Sequence, residues 1–259
     1  MDKIIIANWK ANPVTLEEAN DLLDFYVEEI SKYQNIQLVI CPPFVYLEEV
    51  AKKITNLKFK ISNLFIGAQD VFWEKSGPYT GEISTDMLKN FGVTHVLVGH
   101  SDRRYPPVGG GESDEVINRK IEAVLNADIT PILLVGERSR DDDRRVVLEQ
   151  QLSDGLAGLV AEQVSKALIT YEPVWAISTA PDAESDNPTN AIEAVKIIQE
   201  FIFKTYNLKP ITCLYGGSVN QSNVADFLKH QEVCGAVIGG ASLRKEEFRE
   251  VLRIVSTLD

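Results

Sequence analysis

The chain has 259 residues, 44% of them hydrophobic and 25% charged, which suffices for a large buried core. Twenty-six Lys and Arg against 38 Asp and Glu leave a formal net charge of −12, which argues against general nucleic-acid or anionic-membrane binding. No run reaches the roughly 18 apolar residues of a membrane span. The opening Met-Asp-Lys-Ile-Ile-Ile-Ala-Asn carries too short an apolar run for a signal peptide and reads as a strand.

Strand-like and helix-like segments alternate from there on. Residues 4–7 form the first apolar run. Thr15-Leu-Glu-Glu18 has capping-box spacing and opens a helix to about residue 30, with Leu16, Ala19, Leu22, Leu23, Val27 and Ile30 on one face. Residues 37–41 are the second strand, stopped by Pro42 and Pro43. A helix over 46–54 follows, then a third strand at 65–68. Residues 69–85 lack periodicity and carry Ser-Gly-Pro at 76–78, so they read as a long loop of the kind that usually has a function. The fourth strand, 93–98, leads into Gly99-His-Ser-Asp-Arg-Arg104. A loop at 105–110 precedes a helix over 113–125. The fifth strand is 130–135. The charge run 141–145 is the solvated start of one helix reaching about residue 163. The sixth strand, 168–171, ends in Glu172-Pro173. Asn187-Pro188 has the form of a cap with a first-turn proline, and its helix runs to about 206. A seventh strand at 211–214, a helix over 222–229, an eighth strand at 236–238 and a helix over 245–255 complete the chain.

Eight short apolar strands, each followed by a longer amphipathic segment, predict a parallel sheet covered by helices. At this length, and with no composition break to mark a linker, the prediction is one closed (β/α)8 barrel over residues 1–259. No Gly-x-Gly-x-x-Gly follows the first strand, which weighs against a dinucleotide-binding sheet. Cys41, Cys213 and Cys234 lie in or beside strand-like runs and read as buried free thiols in a reducing cytoplasm. No Cys/His spacing has the form of a metal site.

A closed barrel gathers the C-terminal ends of its strands on one face, where chemistry sits. This chain places there Asn8 and Lys10, then His100, Ser101 and Asp102, then Glu172, then Gly216, Gly217 and Ser218, and last Gly239 and Gly240. Together they offer a carboxylate base, an electrophile, a fixed positive charge and backbone amides. That set suits an anionic phosphate ester with an acidic C–H beside a carbonyl. Glycines after the last two strands allow close backbone approach, and a short helix starting near Ala241 would aim amides at an anion.

Several segments carry a resemblance to the triosephosphate isomerase family over nearly the whole chain. They are Ala7-Asn-Trp-Lys10, Thr80-Gly-Glu-Ile-Ser84, Gly99-His-Ser101 with Arg103-Arg104, Gly111-Glu-Ser-Asp-Glu115, Pro131-Ile-Leu133 with Val135-Gly-Glu137, Tyr171-Glu-Pro-Val-Trp-Ala-Ile177, Tyr215-Gly-Gly-Ser-Val219 and Gly239-Gly-Ala-Ser-Leu243. The resemblance implies a cytoplasmic enzyme of glycolysis and gluconeogenesis without metal or cofactor. It would interconvert glycerone phosphate (dihydroxyacetone phosphate) and D-glyceraldehyde 3-phosphate through an enediolate.

It also implies roles. Glu172 would be the base and His100 a neutral electrophile, with Lys10, Asn8 and Asp102 beside them. Amides near Ser178, Ser218, Gly239 and Gly240 would hold the phosphate. Pro173, Val174, Trp175, Ala176, Ile177, Ser178, Thr179 and Ala180 would form a lid. Ile177 and Val237 would clamp the base. Thr80 would reach a second copy of the chain in a homodimer.

The chain departs from the family in four places. Asp102 replaces a Glu and is expected to reach Lys10 less well. The longer stretch 105–110 is expected to shift Glu112. Ser178-Thr-Ala180 replaces Gly-Thr-Gly, and the connection 181–187 is longer and acidic. Two other readings stay open: another metal-free sugar-phosphate isomerase, and a catalytically weakened or silent sugar-phosphate-binding barrel.

Overall fold

Apolar runs of three to six residues have too few positions for a helix and enough for a strand buried on both faces. In the computed structural model, which describes residues 2–57, 61–177 and 184–258, each such run is a parallel strand. In chain order the elements begin β1 (Lys3–Asn8), α1 (Leu16–Ile30), β2 (Ile36–Cys41), α2 (Leu47–Leu57), β3 (Leu64–Ala68), α3 (Thr85–Asn90) and β4 (His95–Val98). Next come α4 (Ser101–Arg104), α5 (Asp114–Asn126), β5 (Thr130–Val135), α6 (Arg144–Gly155), α7 (Ala161–Val164) and β6 (Leu168–Tyr171). The chain closes with α8 (Pro188–Tyr206), β7 (Cys213–Tyr215), α9 (Val224–Leu228), β8 (Gly235–Ile238) and α10 (Lys245–Val255). The strands pair in sequence order, and β8 closes on β1 with Ile4 opposite Gly235. The result is the predicted closed (β/α)8 barrel.

Side chains alternate across each strand and split the core in two. Ile6, Val39, Leu97, Ile132, Leu134, Leu214 and Val237 fill the barrel interior. Their neighbours Ile5, Leu38, Ile40, Val96, Val98, Leu133 and Ile169 face the helices. The helices answer with apolar stripes: Phe248, Val251, Leu252 and Val255 on α10, and Leu22, Leu23, Tyr26 and Ile30 on α1, are buried. Leu16, predicted on the buried face of α1, stays exposed in its first turn.

Local signals set most boundaries. Thr15 Oγ1 accepts from the Glu18 amide while Glu18 accepts from the Thr15 amide, the predicted capping box. Asn187 caps α8 with Pro188 at its first position. The helix expected over 141–163 is two helices. Asp143 caps α6, which ends at Gly155, and Gly158 at φ 76° turns the chain before α7. Strand β4 starts at His95 and β7 at Cys213, two residues later than predicted in each case. In β7 the reason is Gln199, whose amide group pairs with both the N–H and the carbonyl of Ile211. Helices α3 and α4 were not predicted, being too short to show a period. Helix α9 is shorter than expected at both ends.

The long loop after β3 has order of its own. Phe72 N–H donates to the Ile83 carbonyl at 2.8 Å, and the Phe72 ring packs on Trp73 and Tyr79 at 4.3 and 4.7 Å. Thr80 stands exposed near its tip. Among the described residues no helix is long and apolar enough to cross a membrane. Of the free thiols Cys41 and Cys213 are buried, while Cys234 is only half-buried.

The foot of the barrel holds a pH-sensitive group. His95 sits against Phe65, its Nδ1 2.8 Å from Thr94 Oγ1, and burial lowers its pKa from 6.5 to about 4. The unfolded chain therefore binds a proton there that the folded chain refuses. Stability falls as pH drops through the window from 6.5 to 4. His95→Gln should flatten that loss by roughly 2 kcal/mol, read as melting temperature against pH. Parallel curves for the two proteins would refute this.

Candidate active site

Strand direction brings Asn8, His100, Glu172, Gly217, Ser218, Gly239 and Gly240 to one mouth. They line a cavity of about 390 Å³ together with Lys10, Ile177 and Val237.

Glu172 follows β6 directly and is 3% exposed. Its Oε2 accepts from the Ser101 N–H at 2.8 Å and its Oε1 faces His100 Nε2 at 3.2 Å. Burial raises its carboxyl pKa above the ordinary Glu value, against the opposite pull of His100, the Ser101 amide and Lys10. Its neighbour Asp102 pushes it further up. Val237, 5% exposed, and the half-buried Ile177 line the same cavity.

His100 precedes α4, and its Nδ1 accepts the Asp102 N–H at 3.0 Å. A ring nitrogen that accepts a backbone N–H keeps its lone pair. That arrangement places an imidazole N–H on Nε2, toward the cavity.

Lys10 adopts φ 53°, a left-handed conformation that side-chain-bearing residues avoid. Two contacts hold it: Asn8 Oδ1 accepts the Lys10 N–H at 3.0 Å, and Gln69 Nε2 donates to the Lys10 carbonyl at 2.8 Å. Lys10 Nζ lies 3.0 Å from Asp102 Oδ2. The shorter carboxylate thus does reach the lysine, contrary to the expectation from its length. The reason is that α4 starts at Ser101, so Asp102 sits in its first turn beside the cavity.

The longer stretch 105–110 does not pull Glu112 away either. Glu112 Oε1 accepts from Arg103 Nε at 2.8 Å and from Lys120 Nζ at 2.7 Å. Lys120, 3% exposed, also contacts Asp70 Oδ1 at 2.5 Å, and Arg103 contacts Asp70 Oδ2 at 2.9 Å. Burial raises the Asp70 pKa. This four-charge cluster ties the base of the loop after β3 to α4 and α5.

At the opposite end of the cavity the chain turns after β7 and β8. Gly239 and Gly240 open a single 3-10 turn, Gly240–Leu243, in place of the expected helix near Ala241. The Ser242 hydroxyl donates to the Gly239 carbonyl at 2.7 Å, and Tyr26 and Trp9 brace the turn from below. The Ser218 N–H, expected to hold an anion, donates to the Ala176 carbonyl at 3.3 Å, a long bond.

Ser178, Thr179 and Ala180 lie outside the described residues, so the lid is placed only at its flank. There Val174–Ala176 is a 3-10 turn fixed by Glu137, which the sequence reading left without a role. Glu137 Oε1 accepts from Tyr171 Oη at 2.7 Å and Trp175 Nε1 at 3.1 Å, and Arg144 lies 3.2 Å away. Arg140 covers the Trp175 ring at 4.5 Å and pairs with Glu184, whose N–H donates to the Trp175 carbonyl. A Glu after Gly at a strand end is the available sequence signal, but nothing in the string links position 137 to 171 and 175. Gln69, Tyr215 and Asp186 were missed for the same reason. Among the described residues no group of three His, Cys, Asp or Glu could hold a metal ion.

A base against an electrophile, a nearby lysine and a glycine-lined far end form one cavity that can move a proton beside a carbonyl while holding an anion. The family model described as triosephosphate isomerase matches residues 3–255. A triosephosphate isomerase of Dictyoglomus thermophilum is 38% identical over 254 residues, covering 97% of this chain and 98% of the relative. One from Endomicrobium trichonymphae is 39% identical over 255 residues, covering 96% and 97%. The crystal structure of the Bartonella henselae triosephosphate isomerase superimposes with a TM-score of 0.81 at 31% identity, covering 98% of this chain and 99% of that one. On fold, site and relatives together, the chain belongs to the triosephosphate isomerase family.

Proposed function

We propose that residues 1–259 form one cytoplasmic catalytic unit that uses Glu172 and His100 to interconvert glycerone phosphate and D-glyceraldehyde 3-phosphate. The observation that carries the assignment of roles is the 3.2 Å approach of Glu172 Oε1 to His100 Nε2 inside the cavity. Glu172 takes the proton from one carbon of the substrate and returns it to the neighbouring carbon. His100 donates from Nε2–H to the oxygens of the enediolate between those steps. Lys10 adds positive charge where that oxygen becomes negative, and Asp102 holds its ammonium in place. Asn8 fixes the Lys10 backbone and lies beside the same oxygen.

The amides of Ser218, Gly239 and Gly240 hold the phosphate, with Ser178 of the lid as a fourth. Binding at Ser218 exchanges its long bond to Ala176, which is the base of the lid, for one to the anion. Phosphate arrival and lid position are coupled through that amide. Thr80 and the exposed Val14, Val45 and Met87 suit contact with a second copy of the chain in a homodimer.

Turnover of glyceraldehyde 3-phosphate by the purified protein, without added metal or cofactor, tests the activity. Stabilisation by a phosphoglycolate-type analogue with no turnover would favour the binding-protein reading instead. Gly239→Val tests the phosphate end. A Cβ there meets nothing nearer than Lys10 Cε at 3.5 Å, so the added side chain enters the cavity. KM should rise about tenfold or more with the melting temperature little changed; an unchanged KM would remove Gly239 from the phosphate site.

A further inference from the structure

The acidic connection before α8 delivers a carboxylate to the underside of the turn after β7. Asp186 Oδ2 accepts from Tyr215 Oη at 3.0 Å. Its Oδ1 accepts from the Asn187 N–H at 2.8 Å and from Asn190 Nδ2 at 3.0 Å, which anchors the carboxylate to the first turn of α8. Tyr215 is 1% exposed, and its ring is stacked on Phe227 with centroids 4.1 Å apart and planes 11° from parallel. The ring is held on one face by Phe227 and at its hydroxyl by Asp186.

Above the hydroxyl lies Gly217. A Cβ built on Gly217 would stand 2.1 Å from Tyr215 Oη, so this backbone rests on the phenol oxygen itself. The far side of the turn is held by Asn223 Nδ2, which donates to the Ser218 carbonyl at 2.8 Å. The turn is clamped from two sides, and its height over the barrel depends on where the Tyr215 oxygen sits. Anion-binding amides work only when aimed, because a hydrogen bond weakens steeply as its angle departs from linear.

We propose that Asp186 is a positioning residue for substrate binding: by holding the Tyr215 hydroxyl it sets the height and aim of the turn 216–218 that grips the phosphate. This rests on the reading of that turn as part of the phosphate site.

The test is steady-state kinetics with glyceraldehyde 3-phosphate, inhibition by inorganic phosphate, and melting temperatures for Asp186→Ala, Tyr215→Phe, the double variant and Asn190→Ala. Loss of one buried hydrogen-bond partner should raise KM and the phosphate inhibition constant about three- to tenfold in each of the first two variants, with kcat within about twofold. The double variant should be no worse than the larger single, because both changes cut one link. Asn190→Ala removes one of the two contacts that anchor the carboxylate to α8 and should raise KM in the same direction but less than Asp186→Ala, because the Asn187 N–H still holds Oδ1. Unchanged KM and phosphate inhibition in Asp186→Ala overturn the proposal, as does a fall in kcat alone, or single effects that multiply in the double variant. Gly239→Val separates the two readings. If it raises KM while Asp186→Ala does not, only the positioning role fails; if neither moves KM, the phosphate site itself is misplaced.

Discussion

Glu172→Gln will lower kcat by about 10³- to 10⁴-fold and raise the melting temperature in the same protein. The two effects share one cause. The carboxylate is 3% exposed, and burial raises its pKa above the ordinary Glu value. A raised pKa makes a stronger base, which speeds proton abstraction. It also means the folded chain holds the proton more tightly than the unfolded chain does. Stability linked to Glu172 is therefore largest at acid pH and is lost as pH rises through the folded value. Wherever the carboxylate is ionised the folded protein carries a buried charge at a cost, and Gln removes that cost while still accepting from the Ser101 amide. The acid limb of kcat/KM against pH should also lie above the ordinary carboxylate range, since activity needs the deprotonated form. A Gln variant that keeps most of its turnover, or that melts lower than the parent, would contradict this account.

Lys120→Ala should cost about 3–5 kcal/mol of stability, because it removes the buried cation from two largely buried carboxylates. Lys120 lies 3% exposed between Asp70 and Glu112, with Arg103 as the remaining positive partner. One oxygen of Glu112 already has no hydrogen-bond partner. Without Lys120 the cluster holds two carboxylates against one guanidinium, and the Asp70 pKa, already raised, climbs further. Denaturant unfolding measures the loss. A companion Asp70→Asn in the Lys120→Ala background should recover part of it by removing one of the stranded charges. The loop after β3 begins at this cluster, so the loosened variant should also dissociate at higher protein concentration if the loop joins two copies. A loss below about 1 kcal/mol would place the cluster among exposed pairs of little weight.

Much of the fold was legible because it is periodic. Strand β6, helix α8 and helix α10 fall on their predicted bounds, where a short apolar run, an Asn-Pro start and a dense apolar stripe mark each end. What escaped were elements shorter than two turns, α3, α4 and α7, where no period can be counted. The site was legible to the extent that barrel geometry sends strand ends to one face, which collected Asn8, His100, Glu172 and Gly239 from distant parts of the string. Asp102 shows the limit of residue-type reasoning. Side-chain length alone predicts that it reaches Lys10 less well, yet its Oδ2 lies 3.0 Å from the Lys10 ammonium. Glu137 and Asp186 show another limit. Each works through tyrosines that the sequence separates from it by about thirty residues, and only the packed structure makes them neighbours.

The contact between Glu172 and His100 has a consequence for discrimination under the proposed function. The proposed base and electrophile pair with each other, and the Ser101 amide holds the carboxylate as well. An entering carbonyl must displace that internal partner before any proton moves. A triose without its phosphate brings the same carbonyl but nothing for the far end of the cavity, so it has no second source of binding free energy to drive the displacement. On the proposed roles, the pairing disfavours small carbonyl compounds that lack an anion, and the distant anion is what admits the rest of the molecule.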